Sequence, residues 1–234
     1  MNVSIEQVSN AAPVIQLEKV SVRYDRDTEI FSDLNFALDP QSFTFLTGAS
    51  GAGKSTLLKL FYLALNPSRG LIRLFGQDVL SSTRKDRQLL KRRIGVVSQD
   101  FALIPHLTVF ENATLPLVAA GYSPSKYTAD AKELLAWVGL GDKLRALPPT
   151  LSGGEAQRLA IARAVVNQPD ILIADEPTGN VDPEMGRKLL RLFAEMNRTG
   201  TTIIIATHDA ALVKEFNADI LKIVGGKLTR GSIL

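Results

Sequence analysis

The chain has 234 residues, 45% of them hydrophobic and 22% charged, and a formal net charge of +3. That length suits one large domain, or one domain carrying an inserted subdomain, with room for a proper buried core. The absence of cysteine excludes disulfides and thiolate metal sites and fits a reducing compartment, and no apolar run approaches the ~18–20 residues of a membrane span.

Residues 1–13, MNVSIEQVSNAAP, have neither a basic n-region nor an apolar h-region, so a short polar tail is expected here and not a signal peptide. VIQLEKVSVRY at 14–24 alternates as a strand. FTFLT at 43–47 is a short apolar run before a glycine loop and is expected as a buried strand. KSTLLKLFYLAL at 54–65 has helical periodicity, with Asn66-Pro67 as its expected stop. Strands follow at GLIRLFG (70–76) and IGVVS (94–98). Between them RKDRQLLKRR at 84–93 gathers six basic residues against one acidic. A solvated helix face with Leu89 and Leu90 turned inward accounts for it. Contact with anionic lipid or nucleic acid is the alternative, and the lack of interleaved aromatics weakens the nucleic-acid reading.

From 101 to 163 helical patterns dominate: TVFENATLPLVAA, KYTADAKELLAWVGL, then the helix that LSGGE opens. Strands return at DILIAD (170–175), TTIIIAT (201–207) and ILKIV (220–224). DPEMGRKLLRLFAEMNRTG between the first two reads as a helix with Asp182 as N-cap, Pro183 in its first turn and Gly200 at its end. Such alternation predicts an α/β fold, a mostly parallel sheet with helices on its faces and a helical subdomain inserted.

GASGAGKST at 48–56 satisfies G-x-x-x-x-G-K-[ST], between a predicted strand and a predicted helix as that phosphate loop requires. Gly48, Gly51 and Gly53, with Ala49, Ser50 and Ala52 between them, let the backbone N–H groups close around phosphates. Lys54 supplies a point charge to the outer phosphates, Ser55 a hydroxyl for Mg²⁺, and Thr56 reaches an inner phosphate. A glycine turn with a chance lysine is the bland alternative. ILIADE at 171–176 puts Asp175 at the carboxyl end of a central strand, beside that loop, to help hold Mg²⁺. Glu176 is expected to point elsewhere by strand alternation and to orient a water for in-line attack, unless it only starts a helix before Pro177. LSGGE at 151–155 is a second helix start with bare N–H groups, and the residues alone leave open which anion it faces.

Together these stretches resemble the ATP-binding cassette (ABC) ATPases over residues 14–230. The resemblance implies a single nucleotide-binding domain: a RecA-like P-loop core at 14–100 and 164–230, an N-terminal antiparallel β part, and a helical subdomain at 101–163. It implies ATP and Mg²⁺ as cofactors and an ATP-dependent homodimer, in which Ser152, Gly153, Gly154 and Glu155 face the γ-phosphate held by the other protomer. It further implies that Tyr24 stacks on adenine, a strand-end tyrosine being the alternative. Gln99 of VVSQ matches a ligand to Mg²⁺ and water, Asp182 of GNVD a loop that crosses to the other protomer, and His208 of IIIATH a γ-phosphate contact. The catalytic set is then Glu176, His208 and Gln99, and the metal set Ser55, Gln99 and Asp175. A non-hydrolysing scaffold would lack Glu176 or His208. A DNA-repair ATPase of this type needs long coiled-coil heptads before the signature, and none occur.

FLTGASGAGKSTLLKL, RLAIARAVVNQPDILIADEPTGN and LLRLFAEMNRTG are similar to the cell-division branch, the FtsE proteins. Lipoprotein-release and macrolide-export cassettes share EPTGN but usually carry a Gly-Gly pair where this chain reads FYLALNPS; they are the alternative. The cell-division resemblance implies a peripheral ATPase on the cytoplasmic face of the bacterial inner membrane, at the septum. Its partner would be the integral membrane protein FtsX or a related permease, with other division proteins nearby and no nucleic acid. It would signal to wall hydrolases and move no solute. FALIPHLTVF, which contains His106, carries more large apolar residues than a solvated loop needs and is expected to meet that partner, the alternative being that Leu103, Leu107 and Phe110 simply pack the helical subdomain.

Overall fold

The computed structural model describes residues 12–23, 29–216 and 218–231. Most of the N-terminal tail and Tyr24, the expected adenine contact, therefore lie outside the described residues. Strands β1 (Ile15–Arg23), β2 (Glu29–Leu38), β4 (Arg69–Leu74) and β5 (Gln77–Asp78) make an antiparallel sheet in the order β2-β1-β4-β5. In a second sheet β3 (Phe43–Gly48), β6 (Ile94–Val97), β7 (Ile171–Asp175), β8 (Thr202–Ala206) and β9 (Asp219–Val224) run parallel in the order β9-β3-β8-β7-β6. Antiparallel β10 (Lys227–Gly231) closes its edge on β9. This is the predicted α/β architecture with its antiparallel part.

Strands β6, β7 and β8 are buried almost without interruption because both of their faces are covered, whereas β9 leaves Asp219, Lys222 and Val224 exposed. Along β7, Ile171 and Ile173 join one core cluster with Leu57, Leu60 and Phe61 of α1 (Lys54–Phe61). Leu172 and Ala174 join a second cluster with Leu159 and Ile161 of α5 (Gly153–Val165). Strand β8 divides the same way, Ile204 and Ala206 to one face, Ile203 and Ile205 to the other.

Two local expectations fail for identifiable reasons, and one strand was not expected. Helix α1 ends well before Asn66-Pro67: Leu63 turns left-handed at φ 60°, and the N–H groups of Ala64 and Leu65 both close on the Lys59 carbonyl. In α2 (Arg84–Arg92), started by a Thr83–Asp86 capping box, Leu90 is buried but Leu89 is 49% exposed. A short helix beside the sheet turns only a narrow stripe inward, and adjacent leucines cannot share it. Strand β2 is not among the strands expected from the sequence. Asp33 takes φ 49° inside it, a bulge whose N–H donates to Ser21 Oγ.

Helices α3 (Val109–Ala120) and α4 (Pro124–Trp137) join α5 beside the sheet, with Asn112 wholly buried. The Asn112 side chain accepts from Ile104 N–H and donates to the Ile104 and Leu107 carbonyls, fastening the FALIPHLTVF loop. Leu103 and Phe110 pack partly on the second core cluster, so the loop spends some of its apolar surface on its own chain, while His106 is exposed. Helix α6 (Pro183–Arg198) starts as predicted, Asp182 Oδ1 accepting from Met185 N–H at 2.9 Å. Short α7 (Ala210–Glu215) follows β8. Among the described residues no helix is long and apolar enough to cross a membrane. Leu172 is fully enclosed between β7 and the helical layer. Leu172→Ala should therefore cost about 2–5 kcal/mol, read from the urea midpoint at unchanged slope.

Candidate functional site

Strand β3 ends at Gly48 and the chain turns at once into α1. The turn demands glycine: Gly51 and Gly53 have φ of 75° and 102°, and a Cβ on Gly53 would fall 2.8 Å from the Phe31 ring. Helix α1 then starts with no side-chain cap and no acid in its first turn, whereas Thr83, Thr108, Ser152 and Asp182 cap α2, α3, α5 and α6. Its first N–H groups, at the positive end of the helix, are the pattern of an anion site. Lys54 Nζ donates to the carbonyls of Gly48 (2.8 Å) and Ala49 (3.2 Å), so the ammonium lies over the loop.

A cleft of about 590 Å³ opens there. All of the loop 48–56 lines it except Ala49 and Ala52, whose own N–H···O bond (Ala52 to Ala49, 3.1 Å) makes the turn. Gln99, Asp175, Glu176 and His208 line it from β6, β7 and β8. Ser55 Oγ donates to Asp175 Oδ2 at 2.7 Å. Burial holds the Asp175 carboxyl above the usual range, with the Ser55 bond opposing and Glu176 adding to the rise.

Glu176 does not point away from Asp175. Strand geometry stops at Asp175, Glu176 takes φ 50°, and both carboxylates face the cleft. Side-chain alternation ends with the strand and does not reach Glu176. A left-handed glutamate costs on the order of 1–3 kcal/mol, which its surroundings must over-determine. They do so: Glu176 N–H donates to Ala206 O, Gln157 Nε2 donates to Glu176 O, Thr207 Oγ1 donates to Oε2 at 3.2 Å, and His208 Nδ1 lies 2.7 Å from Oε1. Gln157, nearly inaccessible in α5, also accepts from Asn180 N–H. Neither Gln157 nor Thr207 stood out in the sequence, since their partners are main-chain and side-chain atoms brought close only by the fold.

The LSGGE residues do not line this cleft. Ser152 Oγ accepts from Glu155 N–H, and Glu155 accepts from Ser152 N–H and from Lys143 Nζ (2.6 Å). Lys143 and the Ser152 amide hold the Glu155 carboxyl down at about 2, so it stays ionised and serves its own helix. A Cβ on Gly153 would meet nothing within 4 Å, whereas one on Gly154 would fall 2.8 Å from the Asn180 carbonyl. Gly153 thus faces open space and Gly154 packs against the loop before Asp182. Asp182 itself caps α6 and lines a separate groove.

The hydrogen bond and charge of Glu176 raise the His208 pKa above its ordinary 6.5. The pairing therefore contributes fully to stability below about 6.5 and loses that contribution as pH rises through the folded value. The chain has two histidines, so imidazole proton resonances report each. His208 should titrate above 6.5 in the wild type, and Glu176→Gln should bring it down. An unchanged His208 midpoint in that variant would contradict the pairing.

The ABC transporter family model matches residues 31–179. The cell division ATP-binding protein FtsE of Escherichia coli K12 is 42% identical over 218 residues, 93% of this chain and 98% of that protein. FtsE of Bacillus subtilis 168 is 38% identical over 217 residues, 93% and 95% of the two chains. A dimeric ATP-binding cassette in a post-hydrolysis state, bound to ADP and Pi, superposes with a TM-score of 0.86 at 29% identity, covering 94% of this chain and 99% of that one. Matched by that family model over residues 31–179 and by these relatives over 93% of its length, the chain belongs to the ABC transporter family, in the branch of the cell division ATP-binding proteins FtsE.

Proposed function

We propose that this chain is the ATP-hydrolysing subunit of an FtsEX-type complex. Two copies close on ATP, and the motion passes through the membrane protein FtsX to control hydrolysis of septal peptidoglycan. The observation that carries the ATPase reading is the convergence of the uncapped α1 start, Lys54, the Ser55–Asp175 pair and Glu176 on one cleft. The FtsE relatives, aligned over more than nine-tenths of the chain, support the cell-division assignment. The cassette works peripherally at the cytoplasmic face of the inner membrane, at the septum, bound to FtsX.

Within the site, the N–H groups of 48–56 and Lys54 hold the phosphates, exchanging the Gly48 and Ala49 carbonyls for phosphate oxygens. Asp175 is a desolvated carboxylate with no ion pair among the described residues, and Ser55 and Gln99 add neutral oxygens beside it. That hard-oxygen set fits Mg²⁺, which takes one or two protein ligands and completes its shell with water and phosphate. Mg²⁺, when bound, supplies charge neutralisation at the outer phosphates. Glu176 accepts a proton from, and aligns, the attacking water. His208 leaves Glu176 and donates to the γ-phosphate, which frees the carboxylate for that water. Ser152, Gly153 and Gly154 at the α5 start complete the site of the partner protomer, and Asp182 lies at the crossing. Residues 101–163 act as the helical unit that turns on the core, and FtsX docks beside it.

One variant tests the chemistry and the pathway together. Glu176→Gln should bind ATP like the wild type and hydrolyse it on the order of hundreds-fold more slowly, while Lys54→Ala should lose affinity. Cells carrying only Glu176→Gln should recruit the complex to the septum yet form chains or filaments. Normal turnover would refute the role of Glu176. Normal septation with a lipoprotein-trafficking or drug-export defect would refute the cell-division role and leave the ATPase standing.

A further inference from the structure

Helix α5 carries a half-buried arginine that the chemistry above does not use. Arg163 lies near its C-terminal end and reaches across to the segment after Gln99. There Nη2 donates to the Phe101 carbonyl at 2.6 Å and Nη1 to the Ala102 carbonyl at 2.7 Å. Those two carbonyls belong to consecutive left-handed residues, with φ of 58° and 46°. Neither is glycine, and L-residues visit that region reluctantly, in pairs still more so. Packing does not enforce the conformation at Ala102, whose side chain is exposed. Local bonds define the turn: Phe101 N–H donates to Ser98 O at 3.0 Å and Ala102 N–H to Asp100 O at 2.7 Å. The far side of the loop is pinned separately, by Asn112 at Ile104.

The arginine is built into place. The end of α5 lies directly against β6: a Cβ on Gly95 would fall 2.3 Å from the Ala164 carbonyl. Burial disfavours the guanidinium charge and nearby Asp100 favours it. A fork donor is suited to hold two neighbouring carbonyls in one fixed geometry, which a single ammonium on a simpler stem is not. We propose that Arg163 is a positioning residue for Gln99: by clamping the Phe101 and Ala102 carbonyls it fixes the strained turn that sets where Gln99 enters the cleft. The same clamp ties this loop to the helix that begins at Ser152, so the loop and the α5 start move as one piece. The proposal rests on reading the cleft as the ATP site.

The test is steady-state ATP hydrolysis by Arg163→Lys, with active protein counted by ATP-binding stoichiometry. Because the phosphate loop is untouched, KM for ATP should stay within about twofold while kcat falls about tenfold or more, the scale of a small misplacement of a reacting group. Ala102→Gly supplies the decisive second variant, since glycine takes a positive φ without strain. Alone it should stay within about twofold of wild type; added to Arg163→Lys it should recover kcat by about threefold or more. An arginine that merely stabilised the fold would lower the melting temperature and the active fraction, leave kcat per active site unchanged, and ignore Ala102→Gly. Unchanged kcat in Arg163→Lys, or a loss that Ala102→Gly does not recover, would overturn the proposal. Wild-type hydrolysis that Glu176→Gln abolishes would keep the site reading intact in either case, whereas a wild type inert toward ATP would remove the site reading itself.

Discussion

Parallel pairing of β3, β8, β7 and β6 is the constraint from which the site follows. Leu46 and Asp175 both pair with Ala206, and Val97 pairs with Ala174, so four strands reach the same edge in register. The side chains proposed to act on phosphate, metal and water within this chain stand at or just beyond those ends: the loop after β3, Gln99 after β6, Asp175 and Glu176 at the end of β7, His208 after β8. The pairing is itself held by burial on both faces, since alternate residues of β7 and β8 feed two separate core clusters. A one-residue slip of β7 would exchange Leu172 with Ile173 between those clusters and move Asp175 away from Ser55. The chemistry is thus positioned by the hydrophobic pattern of the strands that precede it.

At that edge the charged groups are already hydrogen-bonded within the chain. Lys54 rests on two loop carbonyls, Ser55 on Asp175, and Glu176 on Thr207 and His208. Burying such groups unpaired is costly, so each needs a partner in any arrangement of the site. The proposed cycle exchanges these partners for phosphate and water without unfolding anything. Two segments are held under backbone strain to allow it: Glu176, fixed by Gln157 and Ala206, and the Phe101–Ala102 turn, held by Arg163. Both fixing side chains come from α5, so the helix that opens with Ser152 also braces the two loops that bring Glu176 and Gln99 to the cleft.

Much of this was legible in the sequence where a backbone requirement forces a residue type. The glycines of 48–53, the apolar runs ending at Asp175 and Thr207, and Asp182 before Pro183 each carry a local physical signal, and the structure places them accordingly. What could not be read depends on contacts distant in sequence. Leu89 and Leu90 are chemically alike, and only the seating of α2 decides which is buried. Strand β2 absorbs Asp33 in a bulge only because Ser21, twelve residues away, satisfies its N–H. Glu176 follows strand periodicity in sequence, but the tertiary bonds of Gln157 and Thr207 turn it left-handed into the cleft. Arg163 carries no signal in the sequence, because its partners are two carbonyls that no side-chain pattern records.

The central claim is that the site is composite, with the α5 start of one protomer completing the phosphate cleft of the other. Gly153 makes it directly testable, because a side chain there has open space in the single chain and an aspartate would set like charge against the γ-phosphate. The measurement is size-exclusion chromatography of Glu176→Gln with and without ATP, alone and combined with Gly153→Asp, alongside ATP-binding affinity. The account predicts a dimer with ATP and a monomer without it for Glu176→Gln, and a monomer that still binds ATP for the double variant. A double variant that still dimerises, or one whose monomer no longer binds ATP, would contradict it.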